Sequence, residues 1–342
     1  MTTVVPYETR YTLVVEAGVD GHPDAFARDV RAGLTVSSKS LPCRYFYDRA
    51  GSRLFDEICA LPEYYLPRAE REILEAHAPG LASRFGRRVT MVELGSGSAE
   101  KTRVLIDAFL ARHEALRYVP VDISRTALEE SAQVLLASRP ALEVLAVAGD
   151  YLDGLRYLGT EGDDPKLILW LGSSIGNLER LEAAAFLRRL RGTMSPQDRL
   201  LVGIDLRKGP EVLERAYDDA QGVTARFNQN ILARINRELG GHFDLDAFRH
   251  HAVYDEEIGR IEMYLVSTRT QEVRIDRLDL TVGFDAGEAI HTENSYKYSA
   301  PEIEALARGG EVRVDAQWFD SGGRFSVNLF ACDRDTPAGE RS

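Results

Sequence analysis

Glu93-Leu94-Gly95-Ser96-Gly97, followed closely by Lys101-Thr102, sets a carboxylate, two positions without side chains and an ammonium in one short stretch of this 342-residue chain. A β-branched apolar run, Val89-Thr90-Met91-Val92, leads in, and Val104, Leu105, Ala108 and Phe109 lead out at helical spacing. The pattern is a strand, a tight turn and a helix. Glycines at such a turn let a ligand approach backbone N–H groups and a helix N-terminus. The chemistry on offer is the cradling of a nucleotide-like group. A lone Gly-x-Gly is equally an ordinary turn, so its meaning rests on what stands at the neighbouring strand ends.

Those ends are readable because the chain alternates strand and helix from residue 89 onward, the mark of a parallel α/β sheet. Strands are expected at 89–94, 118–121, 143–146, 167–171 and 200–204, and helices at 101–112, 124–138 and 179–192, with 151–160 unsettled. In an open α/β sheet ligands sit at the carboxyl ends of the strands. Asp122 ends the second strand, Asp150-Tyr151 follows the third, and Gly172-Ser173-Ser174-Ile175-Gly176-Asn177 follows the fourth. A dinucleotide fingerprint wants a third glycine, which is missing here, although Asp122 is suitably placed for ribose hydroxyls. A nicotinamide site therefore stays open on these grounds. Glu93, able to meet a cationic ligand, and Asp150, suited to an exocyclic amine, point elsewhere.

The rest of the chain must position these groups. Residues 11–15 read as an edge strand or arm, and 24–34, 48–61 and 67–85 as helices. Tyr45-Phe46-Tyr47 and the proline-bracketed Leu61-Pro62-Glu63-Tyr64-Tyr65-Leu66-Pro67 make this region aromatic, either as core packing or as a wall for a small ligand. Residues 207–297 break the α/β rhythm with one long helical stretch, 210–239, and strands at 261–268, 271–274 and 278–282. That suggests an inserted α+β region capping the sheet. A helix at 301–308 precedes two strands, 311–319 and 324–332, joined by Ser321-Gly322-Gly323 as a hairpin that gives the sheet an antiparallel edge. The expected division is 68–206 with 298–335 as one domain, 8–67 with 207–297 as a second, and 336–342 as a disordered tail.

Bulk properties exclude several classes. A net charge of −12 argues against nucleic-acid binding, which needs a basic face. The richest basic run, Arg188-Arg189-Leu190-Arg191, reads as a solvated helix face. Cys43, Cys59 and Cys332 are too scattered for a disulfide framework or zinc site and read as small core residues. His250-His251 lack partners at ligand spacing, so no metal is expected. The N-terminus lacks a signal-peptide pattern and no run has membrane-spanning length, which gives the expectation of a cytoplasmic, soluble protein.

Glu93-x-Gly95-x-Gly97, Asp122, Gly149-Asp150 and the terminal hairpin together resemble the Rossmann-like class I methyltransferases that use S-adenosylmethionine. From Lys39 to Cys332 the chain is similar more specifically to the histidine Nα-methyltransferases of ergothioneine biosynthesis. The residues carrying this are Lys39-Ser40-Leu41-Pro42, Phe46-Tyr47-Asp48, Gly51-Ser52-x-Leu54-Phe55, Leu61-Pro62-Glu63-Tyr64-Tyr65, Glu93 to Gly97 with Lys101-Thr102, Gly172 to Asn177, Ala216-Tyr217-Asp218-Asp219 and Thr292-Glu293-Asn294-Ser295-Tyr296-Lys297. The resemblance implies a cofactor site at Gly95, Lys101, Asp122, Asp150 and Tyr151. It implies a substrate site at Tyr47, Phe55, Tyr64, Gly172, Ser174, Asn177, Tyr217, Glu293 and Ser295, positioned by Tyr47, Tyr64 and Asn177 with no dedicated acid or base. Gly95 would admit the methionine end, Asp122 the ribose and Asp150-Tyr151 the adenine. Asn177 offers donors and an acceptor to an amino acid's charged end. Glu293 and Ser295, two apart on an extended segment, share a face and can bracket the two nitrogens of an imidazole. The implied reaction is trimethylation of L-histidine to hercynine by a monomer, with Tyr47 and Phe55 holding the methylated ammonium by cation–π attraction.

Besides a catalytically silent sensor of the cofactor, two rivals remain. One is an N-methyltransferase for another amino acid, such as a tryptophan derivative. The other is an α/β-hydrolase, because Gly172-Ser173-Ser174-Ile175-Gly176 satisfies Gly-x-Ser-x-Gly after a strand and His291 follows in order.

Overall fold

The computed structural model describes residues 3–7, 10–15, 23–86, 88–151, 154 and 164–332. The chain divides into two compact units. Most of 151–160, and all of the tail 336–342, lie outside the described residues.

The first unit comprises 1–20, 66–206 and 298–342. Its strands are β1 (Thr3–Tyr7), β2 (Tyr11–Val15), β3 (Thr90–Leu94), β4 (Leu116–Asp122), β5 (Leu142–Ala148), β6 (Lys166–Trp170) and β7 (Arg199–Asp205), closed by β13 (Val312–Phe319) and β14 (Phe325–Cys332). They make one nine-stranded sheet in the order β1-β2-β5-β4-β3-β6-β7-β14-β13. Every residue of β3 and β6 is buried, as near-continuous apolar runs in a two-sided parallel sheet should be. Helices α3 (Leu66–Ala82), α4 (Thr102–Leu110), α5 (Arg125–Ser138), α6 (Arg180–Thr193) and α9 (Ala300–Gly309) belong to the same unit. Ser124 caps α5, and Ser299 with Glu302 forms a capping box on α9.

Strand order decides where a ligand belongs. From β3 the chain steps outward through β4 to β5, then returns to pair β6 with the other side of β3. The carboxyl ends of β3 and β6 are therefore a topological switch point, the place where doubly wound sheets bind ligands. The Gly95 loop leaves one of these strands and the Gly172 loop the other.

β14 runs antiparallel to both β7 and β13. One boundary differs from expectation. β2 pairs in parallel with β5, Tyr11 opposite Val144 through Val15 opposite Ala148, so residues 11–15 extend the main sheet and do not join the second domain expected over 8–67. Five alternating residues carry no information about which strand they pair with.

The second unit comprises 21–65 and 207–297. It contains α1 (Pro23–Leu34), α2 (Arg49–Ala60), α7 (Pro210–Tyr217) and α8 (Val223–Leu239). A three-stranded sheet orders β12 (Ala289–Tyr296), β9 (Arg260–Ser267) and β8 (Phe248–Asp255), and β10 (Gln271–Ile275) pairs with β11 (Leu280–Phe284). The single helix expected over 210–239 is two. Asp219 accepts from the backbone N–H groups of Val223 (3.0 Å) and Thr224 (2.7 Å), which caps α8, and Gly222 takes the left-handed φ of 67°. The break leaves Tyr217 as the last residue of α7. β8 is not among the expected strands, and β12 is expected only as the extended segment that carries Glu293 and Ser295. The interrupted apolar pattern of β12 has a cause, a register shift between His291 and Glu293.

Candidate active site

In the first unit, Gly95 and Gly97 both have positive φ, 71° and 49°. The N–H of Gly95 donates to the carbonyl of Val121 (2.8 Å), tying the turn to β4. A Cβ on Gly95 would stand 3.0 Å from the Tyr151 hydroxyl, so its missing side chain also makes room for Tyr151. A Cβ on Gly97 would meet nothing within 4 Å. The space beside Gly97 is therefore open.

Asp122 organises this loop. Its Oδ2 accepts from the Gly97 N–H and its Oδ1 from the Ser124 N–H, both at 2.8 Å. Each oxygen retains a lone pair for a ribose hydroxyl. Burial pushes its carboxyl up, against the backbone N–H groups that favour the anion. Asp150 is exposed after β5, and the Tyr151 ring lies 6.0 Å from Trp170 and 5.9 Å from Phe186.

Lys101 has a partner that sequence reasoning missed. Its ammonium donates to Glu70 at 2.5 Å, and the wholly buried Glu70 carboxylate also accepts from the Gly172 N–H at 2.8 and 3.1 Å. One carboxylate from α3 joins the helix after the β3 loop to the loop after β6. The available signal was a glutamate inside the apolar stripe Ala69, Ile73, Leu74, where a solvated charge does not belong.

Glu93 also departs from expectation. Its carboxylate is buried and receives the hydroxyls of Thr102 (2.5 Å) and Tyr118, so it is a structural acceptor beneath the loop and not a contact for a cationic ligand. Burial lifts its carboxyl to about 7, opposed by Thr102, Tyr118 and the charge of Lys101. A value raised above the 4.5 of the unfolded chain favours folding fully below pH 4.5, and that contribution is lost as pH rises through about 7. Glu93→Gln, neutral throughout, is expected to gain on the native protein by up to about 3 kcal/mol between pH 4.5 and 8. Denaturant melts at both pH values check this; a pH-independent difference would refute it.

In the Gly172 loop, Gly172 and Ser173 have φ of 73° and 60°. The Ser173 hydroxyl accepts from the Asp205 N–H at 2.9 Å, while Ser174 donates to the Leu171 carbonyl at 3.0 Å. Ser174 is therefore occupied in the turn, unlike the exposed nucleophile of a hydrolase elbow. Asn177, half-buried, ends the short 3₁₀ helix Ser174–Asn177 and makes no side-chain hydrogen bond among the described residues.

The second unit gathers the remaining residues. Tyr47 contacts Phe55 (5.5 Å between centroids) and Phe227 (5.7 Å). Phe55 contacts Tyr64 (6.3 Å), and Tyr64 contacts Tyr217 (5.9 Å). This is a continuous aromatic wall, with Phe227 of α8 as a member not previously assigned to it. Burial raises the Tyr64 hydroxyl well above its ordinary value, helped by Tyr217, Cys59, Tyr47 and Glu293 nearby. The cysteines are all free thiols, and Cys43 and Cys59 are half-buried, not core.

At the end of the wall, Tyr217 and Ser295 share a hydrogen bond of 2.8 Å. Lys297, also unassigned from sequence, donates to both at 2.8 Å. Glu293 has no hydrogen-bond partner among the described residues, and burial pushes its carboxyl to about 7 against the opposing charge of Lys297. Tyr217 is itself anchored. His250 donates from Nε2 to its carbonyl (2.8 Å) and accepts at Nδ1 from Asn228 (2.8 Å).

A Gly-x-Gly loop at the switch point of an open α/β sheet, with acidic residues after the next two strands, defines the Rossmann-like methyltransferases that use S-adenosylmethionine. Within that class the chain belongs to the histidine-specific, S-adenosylmethionine-dependent methyltransferases, whose family model matches residues 26–332. It is 46% identical over 323 residues to the histidine N-alpha-methyltransferase of Mycobacterium tuberculosis, covering 94% of this chain and 99% of that protein. Identity to the Mycolicibacterium smegmatis protein of the same name is 44%, covering 91% and 96%. The ergothioneine biosynthesis protein 1 of Schizosaccharomyces pombe is 31% identical over 81% of this chain and 37% of its own length.

Proposed function

We propose that this protein methylates the α-amino nitrogen of L-histidine three times, giving hercynine, the first step of ergothioneine biosynthesis, and that it works as a cytoplasmic monomer. The observation carrying the choice of histidine is Glu293 beside Ser295 on one face of β12: a carboxylate with no hydrogen-bond partner among the described residues and a hydroxyl, the complement of an imidazole's N–H and bare nitrogen. Its relatives' names agree.

Gly95, Gly97, Lys101, Asp122, Asp150 and Tyr151 would hold S-adenosylmethionine, which supplies an electrophilic methyl group. The open space beside Gly97 and the spare lone pairs of Asp122 fit it. For the amino acid, Asn177 would take the α-amino and carboxylate groups, with Gly172 and Ser174 shaping its loop. Alignment is the main contribution of such a site, since displacement at a methyl needs little acid–base help. The substrate amine must shed a proton, which passes to solvent or to a water held by Tyr64 or Asn177. Tyr47, Phe55 and Tyr64 offer ring faces to an increasingly methylated ammonium, worth about 0.5–2 kcal/mol.

Incubation with S-adenosylmethionine and each standard amino acid, followed by mass spectrometry, tests this. Three methyl increments on histidine alone are expected. No increment on histidine overturns the assignment, and arrest at monomethylhistidine with methyl donor in excess overturns the role of the aromatic wall.

A further inference from the structure

Glu293 and Ser295 share one face of β12, and Lys297, the residue just past the end of that strand, continues the same spacing and is buried, with 0% of its surface exposed. A methionine would fill similar volume without the cost of taking an ammonium out of water. The charge therefore needs a reason, and its contacts supply one. The ammonium stands 2.8 Å from the Tyr217 hydroxyl, 2.8 Å from the Ser295 hydroxyl, and 4.5 Å over the Tyr217 ring. Those two oxygens are themselves 2.8 Å apart.

An ammonium has protons and no lone pair, so both hydroxyl oxygens accept from it. One further proton lies between Tyr217 and Ser295, and the phenol, the stronger acid, is its natural donor. Ser295 Oγ then accepts twice, which uses both of its lone pairs. Its own proton is left to point at a third partner. Without Lys297 a lone pair is free, and the hydroxyl can accept as readily as donate. The neighbouring carboxylate has the opposite character: Glu293 accepts, and the Lys297 charge favours its ionised form.

We propose that Lys297 is a specificity-determining positioning residue: by donating to Tyr217 and Ser295 it makes Ser295 an obligate donor, so that the Glu293–Ser295 pair takes a neutral ring with one N–H and one bare nitrogen and rejects rings lacking the bare nitrogen. This rests on the histidine reading above and goes further, since it assigns polarity to the pair and the cause of that polarity to a third residue.

The test compares histidine with β-(pyrrol-2-yl)alanine and β-(pyrrol-3-yl)alanine, which keep an N–H at one or the other ring position and lack the second nitrogen. The native protein is expected to prefer histidine over the better pyrrole by about 10–100-fold in kcat/KM, the worth of one unpaired buried donor. Lys297→Met and Ser295→Ala are each expected to shrink that preference below about 3-fold, through a raised KM for histidine, with S-adenosylmethionine affinity within about 2-fold of native. A Lys297→Met protein that loses histidine and pyrrole turnover in equal proportion, its preference intact, overturns the proposal, because that is what loss of packing alone would do. Should that variant not fold, Lys297→Gln, which keeps N–H donors, is expected to retain the preference that Ser295→Ala loses; a Gln variant indistinguishable from Ser295→Ala overturns it. Failure of the native protein to methylate histidine overturns both readings, whereas native turnover with unchanged preference in Lys297→Met overturns only this one.

Discussion

Glu293→Gln is expected to lower kcat/KM for histidine by about 10–50-fold, since a hydrogen bond to a charged acceptor contributes about 1.5–3 kcal/mol and an amide oxygen recovers part of it. S-adenosylmethionine affinity should stay near native, because Glu293 is not among its proposed ligands. The sign of the pH dependence follows from burial. The Glu293 carboxyl titrates at about 7, far above its ordinary 4.5. Below that value it is protonated and a poor acceptor for an imidazole N–H; above it the carboxylate accepts fully. In the native protein kcat/KM for histidine should therefore rise with pH through about 7. The groups facing this carboxyl are Lys297, which favours its ionisation, and Cys43 and Tyr64, whose own ionisation its charge opposes. Neither of the last two titrates near neutrality: the Cys43 thiol is pushed up to about 12, and Tyr64 well above 10. In Glu293→Gln the rise near 7 should vanish, leaving the ionisations of free histidine. Initial rates from pH 6 to 9 check this, and a Gln variant that keeps the native profile would remove Glu293 from the imidazole.

The Gly95 loop was legible because its information is local: a buried strand, two glycines and a helix start fall within one window, and Asp122 and Asp150 stand at later strand ends. The polarity of the imidazole pair was not, because it depends on Tyr217, on α7, meeting Ser295 on β12 and Lys297 just beyond it, 78 and 80 positions further along the chain. The alternation that linked Glu293 to Ser295 does continue to Lys297, so a signal existed. What hid it was the ordinary expectation that a lysine at a strand end is solvated. The break after Tyr217 was likewise written in Asp219 and Gly222, yet helical periodicity on both sides concealed it.

Glu70 shows the same limit in the other unit, and its replacement should have the second largest effect. The carboxylate uses both oxygens: Oε2 takes the Lys101 ammonium at 2.5 Å, and the Gly172 N–H reaches both oxygens at 2.8 and 3.1 Å. Gly203 on β7 leaves room for it, since a Cβ there would come within 2.0 Å of Oε1. Glutamine fits the volume but presents an NH2 where a donor already points, so either Lys101 or the Gly172 loop loses its anchor. Lys101 is about a quarter exposed, which lets solvent relieve part of the mismatch, and the stability cost should be about 1–3 kcal/mol. The larger consequence concerns the cofactor. With Lys101 no longer held at the start of α4, and the loop after β6 no longer held beside it, the protein should bind S-adenosylmethionine about 10–100-fold more weakly. Calorimetry of Glu70→Gln, Lys101→Met and the double variant separates the routes. If Glu70 acts through Lys101, the double variant binds no worse than Lys101→Met alone; additive losses would assign its effect to the Gly172 loop instead. A Glu70→Gln protein that melts lower but binds the cofactor as tightly as native would show that the carboxylate holds the fold and nothing more.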